Sequence, residues 1–447
     1  MGNARIQIVS VNVIQAEPTA RIEMLSVNVL FVETPIWETF ISGVTEVSGT
    51  LTVAASPWPA LVGRWTWPVR ERLGFFTQIL QSHDRTEQRI AHRCDSSGNA
   101  IPTQSFGTQV AVWGEDGVAK LEAVLHGYLK DCWRVPIWPM AQAHTASLPA
   151  GSGSIAVDTR YCDYRADGYA IIWQGESDYE VVTVDSVADD ALTLAANTTK
   201  GFVGHKWIMP CRLGWIVTAG PLQRFHGGAL IDLEWEVEDV AAVTGYTADL
   251  EYDGMTVLTE PAYWPGEAGE ASHDPDITVI GGDTGPFEVI SNSDYNEVVQ
   301  SHVWHPQTME ACWKLRQFLH DKRGRQEAFL VPTFRGDFQL TRPVGAADTS
   351  IYVANRGYTA NMGTNALRTY LAFRPAGSAF VVRKVTAVSA VNAAEEKIDL
   401  AAAPGVAAAM GQTLCWVDKC RLASDTITID WHRRSACACT VQLARVT

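Results

Sequence analysis

No apolar run in this chain approaches the roughly 18 residues that a membrane-crossing helix needs. Its first residues, MGNARIQIVS, hold neither the apolar core nor the small-residue cleavage site of a secretory signal. Synthesis in the cytoplasm and no membrane partner are therefore expected. Positive charge is scarce: 35 Lys and Arg stand against 50 Asp and Glu, a net charge of -15 over 447 residues. That balance argues against a broad phosphate-binding surface and hence against stable nucleic-acid binding. Catalytic signatures are missing as well, with no Walker loop, no H-E-x-x-H and no G-x-S-x-G. His302 and His305 read as a solvated surface pair, and His83, Asp84 and Glu87 belong to a polar turn. The expectation is a protein that is not an enzyme.

What is present is ordinary globular composition, 47% hydrophobic and 19% charged, over a length that should divide into several domains. The cysteines, an odd nine scattered along the chain, read as buried free thiols rather than a disulfide framework. Sixteen tryptophans must fill cores and interfaces or line a sugar platform.

In chain order, Ala4-Arg5-Ile6 and Val9 to Val13 recur as Ala20-Arg21-Ile22 and Leu25 to Val29, which predicts a β hairpin within an N-terminal extension, 1–60. From residue 61 the chain reads as two versions of one β module. In the first, Phe75, Phe76, Ile79 and Leu80 share a helical face, and a strand is expected around Gln88 to His92. A second helix buries Leu121, Val124, Leu125, Tyr128 and Leu129. Its later counterpart buries Met309, Cys312, Trp313, Leu315, Phe318 and Leu319 and ends in the basic turn Arg323-Gly324-Arg325. A strand ending at proline follows each, and then matching β segments: Ser154 to Val157 with Ser350 to Val353, Glu180 to Val184 with Phe380 to Val385, and Cys211-Arg212-Leu213 with Cys420-Arg421-Leu422. The expected division is a first module at 61–239 with a small inserted barrel at about 143–208, a Gly/Pro-rich connector at 240–295 that lies over a neighbouring subunit, and a second module at 296–447 with its barrel at about 340–418.

LGFFTQILQSHDRTEQRIAHR with PTQSF (73–106), TVLTEP with GDTGPFEVIS (256–291) and WKLRQFLHDKRGRQEAFLVPTFRGDFQL (313–340) resemble the distal tail and baseplate hub group of long-tailed bacteriophages. The resemblance implies a mainly β fold with a few helices: two tail-tube-like β-sandwich modules, each with a flanking helix and an inserted small barrel. It implies a structural protein of the virion tail, ringed around the tail axis between the tail tube and the host-facing tip. Expected partners are the tube, a hub or central fibre and the tape measure. Two modules per chain favour a trimer over a hexamer, because three chains present six modules to a sixfold tube. An acidic lumen would let DNA pass without trapping it.

Four cysteines, Cys415, Cys420, Cys437 and Cys439, could hold zinc or an iron-sulfur cluster, as some tail-tip hub proteins do. Core packing accounts for them better, since Cys437 and Cys439 share a strand face with Val441 and Leu443, and no cofactor is expected. Arg323 and Arg325, with Lys314, Arg316 and Lys322 nearby, form a basic patch suited to an acidic face of the next subunit, and Trp313 and Phe318 join them as contact candidates. The competing function is a carbohydrate-binding, receptor-recognising tail protein, using Trp58, Trp65, Trp67, Trp264 and Trp304. Their dispersal along the chain favours packing.

Overall fold

Alternating β-branched and polar residues dominate the chain, and strand follows from them: 50% of the residues are strand and 11% helix, a mainly β protein. The computed structural model describes residues 8–11, 27–29, 63–75, 77–80, 91–94, 101–129, 131–238, 240–262, 271–274, 277–280, 288–291, 297–361, 368–373 and 380–446. The chain divides into two units, Met1–Ser56 and Pro57–Thr447. In the first, β1 (Ile8–Val11) pairs antiparallel with β2 (Val27–Val29).

The second unit opens with β3 (Arg64–Trp65), β4 (Val69–Gly74), the ribbon β5 (Thr77–Leu80) and β6 (Ala91–Cys94), and the long β7 (Thr103–Trp113). Helix α1 (Gly114–Ala123) continues as a π-helical turn, Val124–Tyr128. Next come β8 (Trp133–Pro136), β9 (Gln142–His144), β10 (Ser154–Ala156), β11 (Tyr169–Trp173), β12 (Tyr179–Ala188) and β13 (Ala191–Leu194). They are followed by β14 (Lys206–Ala219), β15 (Gln223–Phe225) and β16 (Gly228–Val237). The chain then forms β17 (Glu251–Tyr252), β18 (Met255–Thr256), β19 (Ala271–Asp274), the ribbon β20 (Ile277–Ile280) and β21 (Glu288–Ser291), and β22 (Glu297–Trp304). Helix α2 (Met309–Lys322) leads to β23 (Phe329–Pro332), β24 (Phe338–Gln339) and β25 (Ser350–Ala354). After α3 (Tyr358–Asn361) come β26 (Tyr370–Phe373), β27 (Val381–Ala390), β28 (Glu395–Leu400), β29 (Thr413–Leu422), β30 (Thr426–Arg433) and β31 (Ala436–Arg445).

One antiparallel run, β16–β7–β4–β30–β31–β22–β19, crosses the unit. Beside β16 lie β14 and β15, and β14 also pairs with β8, β9 and β11. Beside β31 lies β29, which also pairs with β23, β24 and β26. Further out, β11 pairs with β12, β12 with β13 and β13 with β10; likewise β26 pairs with β27, β27 with β28 and β28 with β25. The β12–β13 ladder breaks register at Val184/Ser186 and the β27–β28 ladder at Val385/Ala387.

One face of the central run is apolar. Val110, Ile231, Trp235, Ile429, Trp431 and Leu443 share a core with Leu121 and Val124 of the first helical segment and with Cys312, Leu315, Phe318 and Leu319 of α2. A separate core, with Phe338, Ile351, Leu371, Ile398 and Trp416, lies among β24 to β29. Helix α2 starts where Thr308 accepts a hydrogen bond from the Ala311 N–H at 3.2 Å.

Several expectations need correction. Phe75 and Thr77–Leu80 are not helical: Phe75 follows β4, and Thr77–Leu80 pairs antiparallel with Ala91–Cys94, a strand neighbour that overrides local periodicity. Phe76 and residues 81–90 lie outside the described residues, and β6 begins at Ala91. The 240–295 connector holds five short strands, one of which, β19, joins the central sheet.

Arg323 and Gly324 both take left-handed φ values, 50° and 65°, ending α2 abruptly. A Cβ at Gly324 would sit 2.5 Å from Asp425 Oδ1 and 3.1 Å from the Phe75 Cβ. Asp425 in turn accepts the Arg325 N–H at 3.0 Å, and its carbonyl accepts the Phe75 N–H at 2.8 Å. The turn thus clamps the end of β4 to the start of β30. Gly324→Ala should cost about 1–3 kcal/mol in urea unfolding, from positive-φ strain plus crowding. Unchanged stability would show that the clamp is slack.

Candidate functional site

The seam where β4 joins the strands on either side is where the charged residues gather. Glu71 projects from β4 into the apolar face with no exposure at all. A carboxylate there is tolerable only if it is fully paired. Arg316 of α2 supplies the charge, Nη2 to Oε1 at 2.9 Å, and is itself 1% exposed. Gln104 of β7 donates to Oε1 at 2.7 Å and the Trp431 indole of β30 donates to Oε2 at 2.9 Å. One carboxylate therefore ties together β4, β7, β30 and α2.

A second carboxylate lies close behind. Asp163 is held by Arg165 (3.0 Å) and by Arg212 of β14 (2.7 Å). Burial pushes its pKa up, but the charges of Arg212, Arg316 and Arg165 outweigh this and hold it below the usual carboxylate range. A third buried acid, Asp418 of β29, meets Arg445 at 2.6 Å, and burial keeps its pKa raised.

Most of the expected basic patch faces inward. Arg316 is in the seam, and Lys322 is buried, donating to Thr256 Oγ1 at 2.9 Å. Lys314 pairs with Asp249 at 2.6 Å. Arg323 and Arg325 are half-buried in the clamp that ends α2. Phe318 is 4% exposed, with Trp304, Phe329 and Tyr246 around its ring, so it fixes α2 to its own chain. Trp313 is half-buried beside the Arg316 guanidinium, 5.4 Å away.

The four cysteines do not converge. Cys415 and Cys420 are five residues apart on β29, about 16 Å at strand rise, and belong to different cores. Cys437 instead donates to Cys312 Sγ at 3.4 Å, and that bond, with burial, raises its pKa far above that of a free thiol. Among the described residues no group of three or more His, Cys, Asp or Glu is placed to hold a metal. Trp65 is buried in the core and cannot face a sugar, and Trp58 and Trp264 lie outside the described residues. His302, read as a surface residue, is buried on β22.

A cleft of about 470 Å³ holds basic residues that the sequence reading passed over. Arg64, Arg433 and Arg434 line it with Trp67, Tyr161 and Met309. Arg434 stacks 3.6 Å over the Trp207 ring, and burial and the like charge of Arg64 lower its pKa. The Asp158 carboxylate in the same wall is occupied by Arg160, at 2.9 and 2.8 Å. Such a cleft can hold a carboxylate against a cationic and aromatic wall. The signal was the basic-aromatic clusters RWTW (64–67) and WHRR (431–434), far apart in the sequence. Comparison with protein-family models and with curated proteins gives no match.

Burial, with the Arg316 charge, pushes His320 down to about 3, although Asp163 opposes it; burial alone pushes His302 down to about 4. Both imidazoles stay neutral in the folded chain while protonating near 6.5 in the unfolded one. Their contribution is whole above about pH 6.5 and is lost as pH falls towards the folded values, at about 1.4 kcal/mol per pH unit per histidine. The urea midpoint should fall more steeply between pH 6.5 and 5 in the native protein than in a His302→Gln, His320→Gln variant. Equal slopes would contradict this.

Proposed function

We propose that this chain is a structural, non-enzymatic component of a long-tailed bacteriophage tail tip, built from two versions of one β module and ringed around the tail axis. The resemblance of residues 73–106, 256–291 and 313–340 to the distal tail and hub group motivates the reading. Strand pairing supports the duplication. The pairings among β7, β8, β9, β10, β11, β12, β13, β14 and β16 are matched one for one by those among β22, β23, β24, β25, β26, β27, β28, β29 and β31, while β3 on β7 has no counterpart on β22 among the described residues. A helix follows β7 and β22 alike, and the register break in β12–β13 recurs in β27–β28. The sets β9 to β13 and β24 to β28 are the inserted small barrels of this reading, and the central run with its covering helices supplies the sandwich-like bodies.

The observation that carries the proposal is the position of β4. It completes the sheet of the first module and at the same time pairs with β30 of the second, so two similar units stand side by side in one continuous sheet. A lateral row of similar units sharing a sheet is the geometry from which a ring is made. The sheet's other face is polar and leans acidic: Asp232, Glu234, Glu236 and Asp430 against Arg70 and Arg72, with pairs Arg72–Glu234 (2.7 Å) and Arg70–Asp430 (3.2 Å). Turned towards the axis, that face would repel passing DNA. The Arg64, Arg433 and Arg434 cleft, rather than Arg323 and Arg325, is then the better seat for an acidic segment of a neighbouring tail protein.

Three copies would present six modules to a sixfold tube. Native mass measurement of the purified assembly should give three chains. Six chains, or a monomer at every concentration, would contradict the proposal.

A further inference from the structure

The β4–β30 pairing has a counterpart position that stands open. In the described structure β4 runs along the start of β7 and its other edge is taken by β30, with Leu73 opposite Ile427 and Glu71 opposite Ile429. Under that cover Ile427, Ile429 and Trp431 are buried. The strand that stands to β22 as β4 stands to β7 is β19: it pairs with the start of β22 and is followed by a ribbon, β20–β21, as β4 is followed by β5–β6. The segment that stands to β16 as β30 stands to β31 is Thr218 to Phe225, the last residues of β14 with β15, whereas Gly214 to Ile216 match Cys420 to Leu422 of β29. Among the described residues, neither the outer edge of β19 nor that of the 215–225 segment has a strand beside it.

Apolar side chains are exposed beside both open edges. On the 215–225 segment Val217 is 51% exposed, and Trp215 and Phe225 are exposed as well. On the ribbon next to β19, Val279 is 53% exposed, and Ile277, Ile280, Val289 and Ile290 are exposed on its two faces. A lone two-stranded ribbon is marginally stable in water, and apolar exposure on this scale marks a contact surface.

We infer that β19 and its ribbon in one copy of this chain add to the 215–225 edge of the next copy, repeating between chains the pairing that β4 makes with β30 within each chain. The occupant is a second copy because the chain already contains the complementary half of the contact. The interface is heterologous, head to tail, so it propagates and closes into a ring if the rotation between halves permits. This rests on the duplicated-module part of the reading above and not on its role in a virion.

Two variants test it. Val217→Lys with Phe225→Glu blocks one edge, and Val279→Lys with Val289→Lys, two residues opposite each other on the ribbon, blocks the other. All four positions are exposed, so circular dichroism and melting should match the parent. Each variant alone should sediment as a monomer, whereas their equimolar mixture should give a species of two chains and no larger one, because each retains one working edge. Parent-like assembly of either variant, a symmetric dimer of one variant, or no two-chain species on mixing would overturn the inference. Independently of variants, amides in 215–219 and 271–274 of the parent should exchange at least tenfold more slowly as concentration is raised through assembly; unchanged exchange would overturn it too. If the parent forms a three-chain ring but these segments stay unprotected, the strand exchange fails while the ring stands. A parent that is monomeric throughout removes both.

Discussion

The buried pair of Glu71 and Arg316 is the constraint on which the central sheet depends. A carboxylate with no solvent contact sits on the one strand that belongs to both halves of the sheet, and its cation arrives on a helix more than two hundred residues away in sequence. Leaving either charge alone in that core would cost several kcal/mol, so the helix, the strand and their neighbours must form together. The requirement is specific in geometry as well. Gln104 and the Trp431 indole also donate to the carboxylate, so β7 and β30 are held in register on either side of β4.

From that seam follow the features that bear on function. With β4 shared, two sets of strands with matching pairings lie in one sheet; β30 has β4 beside it, and among the described residues the 218–225 segment has no strand on its outer edge. Ile427, Ile429 and Trp431 of β30 are buried, and Val217 and Phe225 on the open segment are exposed. The basic turn after α2 is explained by the same asymmetry. Gly324 and Arg325 press on Asp425 at the point where β4 meets β30, a crossing that α1 does not face, so the earlier helix has no need of such a turn.

Much of this was legible in the residues and some was not. The strand-rich character, the α2 stripe of Cys312, Leu315, Phe318 and Leu319, and the inward face of Cys437 and Cys439 followed from periodicity, which reports local burial well. Phe75 to Leu80 misled because its helical spacing is short and Thr77–Leu80 pairs instead with Ala91–Cys94, a partner outside the window from which a local periodicity is read. The charges of Arg316 and Lys322 read as a surface patch because a sequence shows how many charges a helix carries and not which of them has a buried partner. The Arg64, Arg433 and Arg434 cleft was hidden for the same reason, being assembled from residues more than three hundred and sixty positions apart.

The most direct test of the account is hydrogen-deuterium exchange of residues 69–74 and 426–431 in an Arg316→Met variant, read against β7 and β31 in the same molecule. Loss of the cation should destabilise the protein by about 3–5 kcal/mol and open β4 and β30 together before the remaining strands. If β4 and β30 stay as protected as β7 and β31, the seam does not depend on the buried pair and the account is wrong at its centre.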